Sequence, residues 1–144
     1  MDIIVDNKFD GLYHIRPATD DDKNFILKSF LLSVYHGETW FTKIPKRIFM
    51  DNYKKVAETL FYAYKDTIRV ACLPDDSTVI LGYAIINQDG TTLHFIYVKD
   101  VWRKRGIGRR LVPESITHIS HLTALGEQLL NKFKTKPIFN PFNI

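Results

Sequence analysis

The sequence contains one cysteine, Cys72, among 144 residues. A single thiol can neither close an internal disulfide nor supply a cluster of thiolate metal ligands, so both kinds of site are excluded. Because Cys72 falls in an apolar, strand-like run, we expect an inert core thiol rather than a nucleophile. Long hydrophobic runs are missing as well. The longest, Val79 to Ile86, is far too short to cross a membrane.

Linkers, repeats and low-complexity segments are also missing, and nothing in the composition divides the chain. With 45% apolar residues, the sequence is rich enough in them for a hydrophobic core. The opening residues 1–6 are acidic and hold only three apolar residues in a row, whereas a secretory signal begins basic and has a longer apolar stretch. We therefore expect a single domain over residues 1–144, soluble and cytoplasmic, with no membrane segment.

One short segment accounts for the whole net positive charge of the chain. Residues 99–110 hold six basic side chains and one carboxylate, a local charge of +5, while the whole chain carries +4. The rest of the chain therefore sums to −1. A compact polyanion fits such a spot better than a nucleic-acid duplex, whose phosphates need contacts spread along its length. Nucleic-acid binding through this segment is consequently the function that we favour least.

Hydrophobic periodicity predicts an α/β protein with the element order β-α-α-β-β-β-α-β-α-β. A first helix is expected to begin at Thr19, paired with Asp22 in a capping box, and to end at Gly37. Three apolar runs joined by tight turns predict an antiparallel meander, with a bulge or a close backbone approach at Gly82. The predicted fold is a central, mostly antiparallel and twisted sheet flanked by helices. The expected strands are residues 12–16, 67–73, 78–87, 91–99, 116–122 and 137–144, and further helices are expected to begin at Pro45, Gly106 and Thr123.

A basic, glycine-rich loop, Arg103-Lys104-Arg105-Gly106-Ile107-Gly108, follows the third strand of the meander. A strand, then Arg-x-x-Gly-x-Gly, then a helix presents unpaired backbone N–H groups to an anion. The glycines let that backbone approach a pyrophosphate without a Cβ in the way, and the basic side chains add full charges. On spacing alone the pattern also fits a plain helix-start turn. A dinucleotide-binding loop would need a third glycine at Leu111 and a βαβ unit, so that interpretation fails.

The surroundings of this loop resemble the GNAT superfamily of N-acetyltransferases. The resemblance is carried by residues 98–103 (VKDVWR), 81–84 (LGYA) and 15–22 (IRPATDDD), and it covers roughly residues 12–133. It implies acetyl-CoA as the acyl donor, with its pyrophosphate on the glycine-rich loop and its pantetheine arm along the backbone of the preceding strand. The cofactor-binding residues that the resemblance implies are Tyr97, Val98, Arg103, Lys104, Arg105, Gly106, Ile107, Gly108 and Arg109.

The resemblance further implies direct transfer of the acetyl group to a primary amine of a small molecule or a protein. In the family, a tyrosine of the last helix protonates the departing thiolate, but the matching position here is Leu130, which cannot donate a proton. The candidate general bases are His94, near the place where the family often carries a glutamate, and Glu38, between the first two helices; a water relay is an alternative. His118 and His121 would lie on opposite faces of a strand, so no metal site is expected.

A second hypothesis is a protein with the same fold that is catalytically weak or inactive. Residues 117–123 and 139–142 resemble small GNAT-like proteins encoded by tailed bacteriophages. That resemblance implies a structural or host-interaction role, with virion proteins as partners and the host cytoplasm or the virion as the location. The leucine at position 130 favours this alternative, whereas the intact glycine-rich loop favours the enzyme.

Overall fold

Six strands form one mixed sheet in the computed structural model, which describes residues 11–37, 41–121 and 123–143. The strands lie across the sheet in chain order, and the predicted order of elements and the α/β class are confirmed. The strands are β1 (His14–Pro17), β2 (Arg69–Cys72), β3 (Ile80–Ile86), β4 (Thr92–Val98), β5 (His118–Ile119) and β6 (Ile138–Phe139). The helices are α1 (Lys23–Gly37), α2 (Lys46–Tyr64), α3 (Ile107–Leu111) and α4 (Ala124–Leu130).

The sheet changes direction at β4. Strands β1 to β4 pair antiparallel, as the predicted meander requires, whereas β4–β5 and β5–β6 are parallel. The β4–β5 ladder joins only Thr92 to His118 and Leu93 to Ile119, although β4 continues to Val98. Strands β4 and β5 therefore form a fork that begins beyond Leu93.

The start of α1 is fixed to the sheet edge by an ion pair. The Asp22 carboxylate accepts a hydrogen bond from the Thr19 backbone N–H at 2.8 Å, as the predicted capping box requires, and it meets both terminal nitrogens of Arg16 at 2.7 and 2.8 Å. Burial alone would raise the pKa of Asp22, but the bonds from Arg16 and Thr19 outweigh it and hold that pKa below its ordinary value. The fork geometry of the guanidinium thereby links β1 to the 3₁₀ turn, Asp20–Asp22, that leads into α1.

Helices cover both faces of the sheet, and each face has its own core. Helices α1 and α2 pack on one face, where the predicted stripe of Leu27, Phe30, Leu31 and Val34 is buried. Helices α3 and α4 pack on the other face, where Leu93, Ile96 and Val98 of β4 meet their apolar residues. Strand β4 thus contributes to both cores.

Gly82 lies where the backbone of β4 approaches β3 closely, as predicted. A Cβ atom built there would lie 2.6 Å from the Tyr97 carbonyl oxygen, a distance that real side chains do not adopt. The β2–β3 register also shifts beside it, since Ala71 pairs with Gly82 and Cys72 with Ile80. Glycine is therefore required here by the neighbouring backbone.

A second register shift lies in β4 between Leu93 and Phe95, which leaves His94 as an extra residue in the strand. Strict alternation would place His94 and Phe95 on opposite faces. The bulge instead directs both toward α1 and α2, and the His94 ring stacks on Tyr64 of α2 at a centroid distance of 4.5 Å.

Candidate cofactor and active site

The glycine-rich loop turns sharply between β4 and α3. Lys104 and Gly106 have φ angles of 63° and 79°, in the left-handed region. Gly106 is the N-cap of α3 and lacks the Cβ that makes this conformation cost about 1–2 kcal/mol in other residues. Helix α3 has only five residues, so its macrodipole adds little to anion binding. The attraction of an anion to this loop therefore depends more on charged side chains than the strand–loop–helix pattern implies.

A cavity of about 470 Å³ lies against this loop. Seven of the nine predicted cofactor-binding residues line it, all except Tyr97 and Arg105. Helix α4 and the residues just after it close the other side, a contribution that the sequence pattern did not indicate. The full lining is Val98, Trp102, Arg103, Lys104, Gly106, Ile107, Gly108, Arg109, Gln128, Leu129 and Lys132.

The charge around this cavity is of one sign. Its lining includes the cations Arg103, Lys104, Arg109 and Lys132, and as far as the described residues go it includes no carboxylate. Exposed cations of this kind attract an anion at long range but each contributes little in salt, so their effect is collective. The cavity is therefore suited to a ligand with several negative charges.

Arg103 is held in place from two sides. Its Nη1 lies 2.7 Å from Asp100 Oδ1, and its Nε donates to the Val98 carbonyl oxygen at 3.0 Å. The Lys99 N–H donates to the Leu81 carbonyl oxygen of β3. In an antiparallel ladder the peptide groups of successive residues point to alternate sides, so the N–H and C=O of Val98 face the opposite, open edge of β4. A ligand arm along this edge would therefore share the Val98 carbonyl with Arg103.

The two predicted residues outside the cavity lining have other contacts. The Tyr97 ring lies on the α1/α2 face, stacked on Tyr83 at 5.6 Å and edge-on to Phe25 at 6.0 Å. The Arg105 guanidinium lies over the Trp102 ring at 4.8 Å. By the same alternation, the peptide groups of Tyr97 face β3 rather than the open edge of β4.

The surroundings of Gly108 leave room for a Cβ atom. A Cβ there would lie 3.6 Å from Ile96 and 3.6 Å from Leu129, both ordinary contacts. The Cβ direction of Gly108 thus faces β4 and α4, where a small side chain would fit, while the residue also lines the cavity. Gly106, with its positive φ, is the glycine on which the turn depends.

His94 is buried, with 1% of its surface exposed. Its Nδ1 lies 2.7 Å from Ser120 Oγ at the end of β5. Burial, with a smaller contribution from His121, lowers the pKa of His94 to about 4, so the ring is neutral at neutral pH. A neutral imidazole has the ionisation state of a base, but its burial keeps it from meeting an incoming amine directly.

The remaining sequence candidates lie in different surroundings. Glu38 lies outside the described residues. Leu130, the position of the family tyrosine, is 2% exposed and packs in the α3/α4 core, whereas the adjacent Leu129 lines the cavity. Cys72 is buried, as expected. No side chain with an acidic proton therefore replaces the tyrosine at that position.

The two histidines considered for a metal site have separate partners. His118 Nδ1 lies 2.9 Å from Thr117 Oγ1, and His121 Nε2 lies 3.0 Å from the Tyr53 hydroxyl. Within residues 11–37, 41–121 and 123–143, no group of three or more His, Cys, Asp or Glu side chains is arranged to hold a metal ion. Among the same residues, no helix combines the length and apolarity needed to span a membrane.

Comparison with solved structures supports the fold. A protein named as a candidate acetyltransferase from Pyrococcus horikoshii is 25% identical over 88% of this chain, with a TM-score of 0.55, and the chain covers 43% of it. A histone acetyltransferase HPA2 and related acetyltransferase from Corynebacterium glutamicum is 17% identical over 69% of this chain, with a TM-score of 0.52 and 67% of that chain covered. A candidate acetyltransferase from Clostridium difficile is 14% identical over 92% of this chain, with a TM-score of 0.50 and 98% of that chain covered.

The chain thus spans less than half of the Pyrococcus protein. Among curated proteins, no sequence relative matches it. A family model described as an acetyltransferase (GNAT) domain matches residues 46–135, from the start of α2 through the segment after α4. This match includes the whole meander after β1, the glycine-rich loop and the cavity. Because it extends over more than half of the sequence, the chain belongs to the GNAT acetyltransferase family.

Proposed function

We propose that this protein is an N-acetyltransferase that moves an acetyl group from acetyl-CoA directly to a primary amine. The observation that carries the proposal is the cationic cavity between the glycine-rich loop and α4, which lies beside the open edge of β4. A polyphosphorylated acyl donor has the charge that this lining would attract. The apolar side chains of Ile107 and Leu129 offer a surface for its uncharged part.

Each part of the site has a role in this proposal. Arg109, Lys104 and Lys132 would hold the phosphates, since all three line the cavity. Arg103 would position the arm of the donor, because it already contacts the Val98 carbonyl on the open edge. The amine nitrogen then attacks the thioester carbon, the C–N bond forms, and the C–S bond breaks with its electron pair leaving on sulfur. With leucine at position 130, the thiolate takes its proton from water.

The proposal is tested first by ligand binding. Acetyl-CoA at a hundred times its Kd should stabilise the protein by about 2.7 kcal/mol, which raises Tm by roughly 5–10 °C for a chain of this size. The double variant Arg109→Glu/Lys132→Glu should lose this shift, because two cavity cations become anions. Lys55→Glu, an exposed charge reversal on α2, is the matched control and should keep it. The shift should also shrink as salt rises.

Turnover is the second test. CoA thiol should be released from acetyl-CoA when the protein is offered a panel of primary amines, and the double variant should lose this release. The absence of any shift at millimolar acetyl-CoA would overturn the cofactor assignment. Tight binding without thiol release over the whole panel would instead favour the non-catalytic role, which the leucine at position 130 supports. Duplex DNA that displaces acetyl-CoA at physiological salt would favour nucleic-acid binding.

A further inference from the structure

Strands β4 and β5 separate at a fork just beyond Leu93. The Ser120 N–H donates to the Leu93 carbonyl at 3.1 Å, just where β5 ends and the chain leaves β4. A donor arm that runs along the open edge of β4 from Val98 must stop at this point, because β5 covers the edge from Leu93 onward. The reactive end of a bound thioester is therefore expected near the fork, within reach of the polar side chains there.

A continuous array of hydrogen bonds crosses the fork. His94 Nδ1 lies 2.7 Å from Ser120 Oγ, and the same oxygen lies 3.1 Å from His121 Nδ1. His121 Nε2 then lies 3.0 Å from the hydroxyl of Tyr53 on α2. His94 and Ser120 are buried, whereas His121 and Tyr53 are half-buried. The array therefore leads from the closed interior of the sheet to the hydroxyl of the half-buried Tyr53.

The hydroxyl of Ser120 allows two tautomer arrangements of this array, according to which histidine it donates to. Ser120 can donate its single proton to only one of its two histidines and must accept from the other. When Ser120 donates to His94, His121 carries its proton on Nδ1, and its Nε2 accepts from Tyr53. His94 Nε2 is buried with no hydrogen-bond partner among the described residues, so the array ends there. In the arrangement with Ser120 donating to His94, a proton that enters at Tyr53 therefore stops on His121.

We infer that Tyr53 and His121 form the proton-accepting pair of the acetyl transfer, an inference that rests on the proposed function. As the C–N bond forms, the amine nitrogen passes its proton to the Tyr53 oxygen, and the proton of Tyr53 passes to His121 Nε2. The resulting imidazolium donates its Nδ1–H to Ser120 and later returns the extra proton to water. Tyr53 is the catalytic residue that touches the amine, and His121, Ser120 and His94 position it.

The surroundings of His121 suit this role. The groups that face it are the Tyr53 hydroxyl from α2, the Phe30 ring from α1 at 5.4 Å, Ser120 from its own segment and, beyond Ser120, His94 from β4. Burial lowers the pKa of His121, with a smaller opposing effect from His94, so the ring is neutral and able to accept a proton at neutral pH. Burial also raises the pKa of Tyr53, which keeps the hydroxyl protonated.

Two variants test the pair with acetyl-CoA and an amine that the wild-type protein acetylates. Tyr53→Phe removes only the hydroxyl and keeps the ring stacked on Phe49, and it should lower kcat by roughly 100-fold. His121→Gln should lower kcat by a similar factor and abolish the fall of kcat on the acid side of its pH profile. Neither should change the thermal shift given by acetyl-CoA. The matched control is Tyr35→Phe, which removes a buried hydroxyl bound to the Ile44 carbonyl in the same aromatic cluster and should leave kcat unchanged.

The variant Ser120→Ala tests whether Ser120 positions the two histidines for proton transfer or only packs against them. It interrupts the array between the two histidines, so it should move the acid limb of the pH profile as well as lower kcat. If both Tyr53→Phe and His121→Gln keep the wild-type rate and the wild-type acid limb, the inference is overturned while the proposed function stands. If the wild-type protein binds acetyl-CoA but acetylates no amine, the proposed function itself fails and the inference falls with it. If His121→Gln does not fold, Tyr53→Phe still decides the outcome.

Discussion

Replacing Gly82 with alanine tests the contact that sets the spacing of β3 and β4. The added Cβ would lie 2.6 Å from the Tyr97 carbonyl oxygen and 3.2 Å from Val98 Cα, whereas ordinary contacts begin at 3.4 Å. The strands would therefore have to separate by about 0.8 Å at this point, because the obstacle is backbone and cannot rotate away. We expect a loss of about 2–3 kcal/mol in the free energy of unfolding, the upper part of the range for overpacking. Tm should then fall by roughly 4–10 °C.

Urea denaturation followed by circular dichroism measures this loss directly. The matched control is Gly37→Ala at the end of α1, where a Cβ meets nothing within 4 Å, and its free energy of unfolding should change by less than about 1 kcal/mol. Since Val98 lies on the open edge of β4, Gly82→Ala should also weaken the binding of acetyl-CoA, unlike the control. An unchanged urea midpoint for Gly82→Ala would refute the reasoning, because the two strands would then have room for a side chain.

Two pH-dependent effects follow from buried titratable groups. Asp22→Asn should cost about 1–2 kcal/mol at pH 7, since it breaks the part-buried pair with Arg16. Because the pKa of Asp22 is lowered in the folded protein, this deficit should shrink as pH falls below about 4, the ordinary value, toward the lower pKa of the folded state. His94 binds a proton below pH 6.5 when unfolded but only near pH 4 when folded, so the wild type should lose stability as pH falls from about 6.5 to 4. His94→Gln should lose less over that interval.

Urea midpoints at pH 7, 5 and 3 check both variants. A deficit of Asp22→Asn that stays constant down to pH 3 would contradict the role of the Arg16 pair in lowering the pKa of Asp22. An equally steep loss between pH 7 and 5 in His94→Gln and in the wild type would show that His94 is not the group that takes up the proton. Part of the slope is expected to persist in His94→Gln, because burial lowers the pKa of His121 as well.

The local features of this fold were predictable because they depend on neighbouring residues. The apolar stripe of α1, the capping box at Thr19 and the end of α1 at Gly37 follow from helical periodicity and from side chains within one turn. The α-helix itself begins at Lys23, because a 3₁₀ turn over Asp20–Asp22 follows the cap. The order of strands in the meander follows from the tight turns between them. Element bounds were less accurate for β5, which has two residues rather than the seven expected, because its pairing is interrupted by the fork.

The candidate site was only partly predictable. The loop residues are contiguous in the sequence, so their motif by itself identifies most of the cavity lining. Gln128 and Lys132 belong to no such motif, since they reach the loop only through the packing of α4 against α3. Tyr97 and Arg105 belong to the predicted cofactor-binding set but do not line the cavity, because side-chain direction in a strand and in a turn depends on the register and on φ.

The sequence by itself determined the α/β order and a basic, glycine-rich loop, because each is a property of a short stretch of chain. It indicated a bulge or close approach at Gly82, but the neighbouring Tyr97 carbonyl that requires the glycine is a contact of the tertiary structure. Only the tertiary structure decided which face His94 occupies, since the bulge arises from the register between β3 and β4. It also decided that Ser120 and His121 join His94 to Tyr53, partners that lie 26 and 68 residues apart along the chain. Such contacts carry no local pattern, because they form only when separate elements pack together.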